Sequence, residues 1–138
     1  MKNIIPVVAA CVVRKHPMRV LLHRKDELRN PELLGKWEFP GGMVEYGEKP
    51  EEALTREIEE ELANFKIKVS YLLYAQSNIY ADGKHYLVLF YECETPSSEV
   101  TPEGCEWVNL YDVDKKDCLP GTYEVGKIIL NRYGYSTK

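Results

Sequence analysis

Between Gly42 and Glu61 the sequence GMVEYGEKPEEALTREIEEE sets a glycine-rich turn directly before a helix crowded with carboxylates. Eight glutamates fall between Glu45 and Glu61, a density of like charge that opposes folding unless something cationic sits among them. Pro50 suits a first helical turn, where its missing N–H costs nothing. Glu51 and Glu52 suit the positive end of the helix dipole. With successive residues about 100° apart, Leu54, Ile58 and Leu62 form one apolar stripe, which fixes the face turned toward a core. Glu57 and Glu61 lie one turn apart along its flank, with Glu60 just beyond, while Arg56, Glu52 and Glu59 are expected on the opposite side. Carboxylates gathered at the edge of a buried face raise one another's pKa or recruit a cation, and hard divalent metals bound through oxygen suit such a cluster. On its own, an EIEEE run reads first as a solvated helix face supported by pairs such as Glu52–Arg56.

A chain of 138 residues suits one domain, expected over 1–138, with room for a substantial core. The net charge of −4 argues against a dedicated binder of nucleic-acid polymers, which would present a basic face. No secretory leader is evident, and no apolar run is long enough to span a bilayer. Cys11, Cys93, Cys105 and Cys118 form no C-x-x-C pair, so reduced structural thiols in the cytoplasm are expected.

Residues 4–14 and 18–24 read as strands separated by a turn at His16-Pro17. The segment Lys25–Lys36, with Asn30-Pro31 and Gly35, reads as a loop. Trp37–Phe39 is a short strand feeding a turn at Gly41-Gly42, and the acidic helix is expected from about Pro50 to Ala63. Two β-rich runs, Ile67–Tyr80 and His85–Cys93, are joined at Asp82-Gly83, a tight-hairpin signal. Glu106–Leu110 is a further strand, and Thr122–Tyr133 a closing helix with Val125, Ile128 and Ile129 at helical spacing. Strands around two helices indicate a layered α/β domain.

The spacing Gly42, Glu48, Arg56-Glu57-Ile58 and Glu60-Glu61 resembles the Nudix box, G-x5-E-x7-R-E-U-x-E-E-x-G-U with U apolar. Seven positions fall in one register, preceded by Trp37-Glu38-Phe39-Pro40-Gly41. Ala63 and Asn64 depart from the last two positions. Asn tolerates a left-handed helix stop, so the stop is expected to move to Asn64, with Phe65 or Ile67 as the apolar anchor. The resemblance implies a mixed sheet sandwiched between helices, covering essentially the whole chain. It also implies a pyrophosphohydrolase that uses Mg²⁺, with Mn²⁺ able to substitute, and acts on a nucleotide substrate as a monomer or homodimer. At the matched positions, Glu57, Glu60 and Glu61 would bind metal with the backbone carbonyl of Gly41. Glu57 would activate the attacking water, and Glu48 would steady the cluster through an ion pair with Arg56. Such enzymes often add a carboxylate from a distant loop; Glu99, Glu103 and Glu106 are the candidates, with Glu103 preferred for its Pro102–Gly104 turn.

The WEFPGG segment resembles the MutT-like branch, which cleaves nucleoside triphosphates to the monophosphate and pyrophosphate. No equivalent of that branch's base-reading Asn is evident; Thr122 or Tyr123 falls near its place. Arg24 and Lys25 are candidates for phosphate contacts, or else exposed strand-end charges. Phe39, Tyr46, Tyr80 and Tyr123 are candidates for stacking on a base, with core packing as the alternative for each. Residues 65–94 carry neither the proline typical of ADP-ribose hydrolases nor the array of NADH hydrolases. Tyr80 stands where some diadenosine polyphosphate hydrolases carry a Tyr. The expected substrate is a (d)NTP or modified dNTP. The alternatives are an ADP-ribose or diadenosine polyphosphate hydrolase, or a domain that binds nucleotides without cleaving them.

Overall fold

The β-branched run of the first fourteen residues organises everything else. In a computed structural model that describes residues 2–26, 33–96 and 100–134, this run is the central strand β1 (Ile4–Arg14). The other strands are β2 (Arg19–Arg24), β3 (Trp37–Glu38), β4 (Gly41–Met43), β5 (Lys68–Ile79), β6 (His85–Glu94) and β7 (Cys105–Asn109). Two helices, α1 (Pro50–Glu61) and α2 (Thr122–Arg132), and a 3-10 helix (Leu110–Lys115) complete the order. One edge of β1 pairs parallel with β6 from Ile4 to Val12. Its other edge is divided: Val7–Ala9 pair with β4, and Val13 and Arg14 pair with β2. The path β3-β2-β1-β6-β5, with β4 branching from β1 and β7 from β2, is a mixed sheet.

Side chains alternate across a strand, so β1 feeds two cores. Val8, Ala10 and Val12 pack with Ala53, Leu54 and Ile58 of α1, and with Leu62 and Phe65 beyond it. Ala9 and Cys11 pack with Phe39, Phe90 and the α2 residues Val125 and Ile129. The sheet is thus sandwiched between the helices. Full burial of an aliphatic side chain is worth about 1.5–3 kcal/mol, so Leu54 and Ile58, both fully buried, anchor α1 despite its acidity.

Several boundaries differ from those read in the sequence. Gly41–Met43 is a strand, not a turn: two glycines have poor strand propensity, but β1 supplies a partner edge through Val8↔Gly42 and Ala9↔Gly41. Helix α1 stops at Glu61 rather than Ala63. Both Ala63 (φ 51°) and Asn64 (φ 65°) are left-handed, so the stop is not displaced to Asn64. Phe65 is the buried anchor. The hairpin at Asp82-Gly83 forms, with Gly83 at φ 85° and its N–H donating to the Tyr80 carbonyl. Part of the Lys25–Lys36 loop (27–32), and residues 97–99 including Glu99, lie outside the described residues.

Candidate active site

Strand β4 delivers its glycines to the underside of α1. A Cβ on Gly42 would fall on the Glu57 carboxylate, and one on Gly41 on the Val8 carbonyl, so only glycine admits this approach of strand, helix and carboxylate. Arg56 then gathers the acids around it. Its Nε and one terminal nitrogen donate to the two Glu48 oxygens at 2.7 and 2.8 Å, a bidentate fork. The other terminal nitrogen donates to Glu57 at 2.9 Å and Glu60 at 3.3 Å. The Met43 carbonyl accepts a further bond at 3.1 Å, and Glu45 lies 3.7 Å away. This corrects the expectation that Arg56 points away from the cluster: its Cβ leaves the helix on that flank, but the long side chain turns back across it. Glu48 is held down at about 2, first by its bond from Arg56 and then by the Glu45 backbone N–H.

Glu61 stands at the other end of the cluster. Although the residue as a whole is exposed, burial of its carboxyl group is the largest influence and pushes its pKa up to about 7. Glu57 and Glu38 push the same way, while His23 and Lys25 oppose. The register His23↔Glu38 between β2 and β3 brings these groups together: Lys25 Nζ lies 3.5 Å from Glu38, and His23 Nδ1 lies 4.0 Å from it. His23 is raised, chiefly by the neighbouring Glu38 carboxylate. Neither His23 nor Glu38 was singled out in the sequence. The one hint was a polar His directly after the apolar Val20-Leu21-Leu22 of β2.

The donor set is all oxygen, burial and neighbouring carboxylates push one member up to about 7, and Gly42 lies directly against the Glu57 carboxylate. These properties fit a hard divalent cation. Among the described residues no three acids converge on one point as they stand; Arg56 draws Glu57 and Glu60 to itself.

The remaining sequence candidates divide. Lys25 belongs to the Glu38 group, and Tyr80 lies within the influence of Glu38 and Lys25. Arg24 is exposed and neighbours Trp37 across the strands. Phe39 is only 3% exposed and meets Phe90 edge-on at 6.2 Å; as a core residue it cannot stack on a base, which corrects that candidate. The Tyr123 hydroxyl is spent on the backbone, donating to the Lys116 carbonyl and accepting from the Cys118 N–H, so it too serves packing. Glu103 is exposed in a turn that binds the end of β2 through the Arg24 N–H and the Gly104 carbonyl, and makes no contact with Glu57 or Glu61 among those described. Glu106 instead pairs with Lys116 at 2.7 Å.

An α/β sandwich carrying an acidic helix on a glycine strand, clamped by one arginine, defines a Nudix-type domain. The chain belongs to the NUDIX domain family, whose model matches residues 5–126, and to its MutT-like branch. It is 46% identical over 56 residues to the putative 8-oxo-dGTP diphosphatase 2 of Mycobacterium tuberculosis (strain CDC 1551 / Oshkosh), covering 41% of this chain and 37% of that one. The chain therefore spans little more than a third of that relative's length. It is 28% identical over 123 residues to the 8-oxo-dGTP diphosphatase of Escherichia coli (strain K12), covering 86% of this chain and 91% of the other. The crystal structure of a MutT NUDIX hydrolase from Burkholderia pseudomallei superposes with a TM-score of 0.75 at 29% identity, over 93% of this chain and 99% of that one.

Proposed function

We propose that the chain is a pyrophosphohydrolase that cleaves a nucleoside triphosphate, a (d)NTP or modified dNTP, to the monophosphate and pyrophosphate. The observation that carries this reading is the pairing of Glu57 and Glu61 at the rim of α1, one clamped by Arg56 and the other pushed up to about 7. Mg²⁺ or Mn²⁺, held by Glu57, Glu60, Glu61 and the Gly41 carbonyl with help from Glu103, would neutralise phosphate charge and lower the pKa of a bound water. Glu57 takes the proton of the attacking water. Arg56 fixes the Glu57 carboxylate, and Glu48 fixes Arg56 in turn. Lys25 and Arg24 meet the phosphates, and Tyr80, within the influence of Lys25, stacks on the base. The four free thiols support a reducing compartment, the cytoplasm, and we assign the chain as a monomer or homodimer.

The test is a panel of canonical and oxidised dNTPs, NTPs, ADP-ribose and diadenosine polyphosphates, assayed with Mg²⁺ and with chelator. Nucleoside monophosphate and pyrophosphate should appear as first products, and only with metal. Glu57→Gln should lower kcat by at least about 10²-fold, the scale of general-base catalysis, with unchanged folding. Activity that persists in chelator, or a Glu57→Gln enzyme at near-normal rate, would overturn the assignment. Tight nucleotide binding without turnover of any substrate would favour a nucleotide sensor.

A further inference from the structure

The face of β5 that turns inward carries a chemistry the phosphate cluster does not use. Tyr74, Gln76, Asn78 and Tyr80 alternate onto this face and are half-buried, whereas Ala75, Ser77 and Ile79 face solvent. At one end Tyr74 leans on Phe90, with ring centroids 6.1 Å apart. At the other end Tyr80 meets Tyr86 edge-on at 5.5 Å, beside Glu38 and Lys25 of the acidic site. The floor between them continues onto β6 and β1 through Val88 and Tyr86, whose register partners are Val7 and Ile5. Tyr74 packs against the core that holds Val125 and Ile129 of α2, while Asn78 is half-buried.

Two amides cross this floor in a fixed relation. Gln76 Nε2 donates to Asn78 Oδ1 at 2.8 Å. Gln76 Oε1 is buried without a partner and turned toward Gly121. That glycine, left-handed at φ 94°, could carry no Cβ without crowding Oε1 at 3.0 Å and Phe90 at 2.8 Å. With its carbonyl turned to Gln76, Asn78 presents its Nδ2 hydrogens, and among the described residues nothing accepts them. A buried amide oxygen left unmet costs about 1–3 kcal/mol, an expense unlike ordinary core packing. The Gln76 bond leaves the Asn78 N–H groups as the unpaired edge of that amide, on an aromatic and aliphatic floor next to the phosphate site.

We propose that Asn78, oriented by Gln76, reads the base of the bound nucleotide by donating to a ring carbonyl, so that oxo bases are favoured over amino bases. The inference rests on the nucleotide reading above and specifies its substrate class. Guanine and thymine present a carbonyl acceptor where adenine and cytosine present an amino donor. The N–H edge of Asn78 meets the first pair with a hydrogen bond and the second with two opposed donors. Asn78 is the contact residue; Gln76 is a positioning residue that acts through it.

Ratios of kcat/KM for dGTP over dATP, and for dTTP over dCTP, test this. In the unaltered chain each should exceed about tenfold, within the range one good polar base contact supplies. Asn78→Asp, which swaps donors for acceptors at the same shape, should lower both ratios by about tenfold or more. Gln76→Glu cannot donate to Asn78, so it should accept from the amide instead, turn Oδ1 outward and bring both ratios to one or below. That reversal is one a merely structural role for Gln76 would not produce. If Gln76→Glu fails to fold, Gln76→Met should fold and draw the ratios toward one. A second readout needs no catalysis: in ¹⁵N-labelled, metal-free protein the Asn78 side-chain amide resonances should move on titration with dGMP and far less with dAMP. Ratios within about twofold of one in the unaltered chain, ratios that neither variant shifts, or amide resonances unmoved by dGMP would each overturn the proposal. Failure to hydrolyse any nucleotide would sink the pyrophosphohydrolase reading, and the amide resonances would still decide this one.

Discussion

Ala63 occupies the left-handed position at which the Nudix pattern has glycine, with φ 51°. An L side chain in that region costs about 1–2 kcal/mol, while glycine's larger unfolded freedom takes back roughly 0.4–1 kcal/mol. Ala63→Gly should therefore stabilise the chain by several tenths to about 1 kcal/mol, read as a higher urea midpoint at unchanged slope. A lower midpoint would mean the Ala63 methyl makes contacts that outweigh its strain. The departure of Ala63 and Asn64 from the pattern was visible in the sequence; how the chain absorbs it was not. A one-residue shift of the helix stop was the economical reading, because Asn accepts a left-handed backbone more readily than Ala. Packing decided otherwise: Phe65 is buried beneath α1, and Ala63 and Asn64 both turn left-handed to deliver it.

At the scale of elements, the union of β4 with α1 depends on Arg56. Glu48 ionises in the fold at about 2, against 4.5 for an unperturbed carboxyl. Because the folded value lies below the unfolded one, the stability that Glu48 contributes is present above about 4.5 and is lost as pH falls through about 2. Arg56→Met should remove this acid-side loss from a series of urea melts taken across that window. It should also lower activity, since Glu57 loses the group that orients it. An unchanged acid limb in Arg56→Met would mean that Glu48 is held by the Glu45 backbone alone. The order of carboxylates along α1, its buried stripe and its proline start were legible, because helical periodicity and end preferences are local. The Glu48–Arg56 ion pair was expected from the Nudix resemblance and is present. The reach of Arg56 on to Glu57 and Glu60 was not legible, since a long side chain is not confined to the flank its Cβ occupies. Strand β4 and the His23–Glu38 neighbourhood were hidden for another reason. Both arise from pairing between segments distant in sequence, and no residue in Gly41–Met43 announces a strand.

The whole molecule uses its sheet as a partition, with the acidic helix packed on one face and α2, with the amides of β5, on the other. Glu38 and Lys25 at the end of β2 and β3 stand where the two sides meet. Folding has thus spent core packing to hold like charges together, and the cost appears at Glu61. A carboxyl raised to about 7 makes the metal-free fold lose stability as pH rises through that value, because the unfolded chain ionises the same group more easily. A divalent cation bound at Glu61, as proposed, would reverse this by favouring the ionised form, and below about 7 it would first have to displace a proton. Binding confined to the folded state raises thermal stability with ligand concentration. At a fixed Mg²⁺ concentration the gain in Tm should therefore be larger at pH 8 than at pH 6, and Mg²⁺ added to weakly buffered protein near pH 7 should release protons. Glu61→Gln carries no titrating group, so it should raise the metal-free Tm at pH 8 and flatten the pH dependence of the metal-induced gain. A thermal shift equal at both pH values in the unaltered chain would mean that Glu61 is not the group that exchanges its proton for the cation.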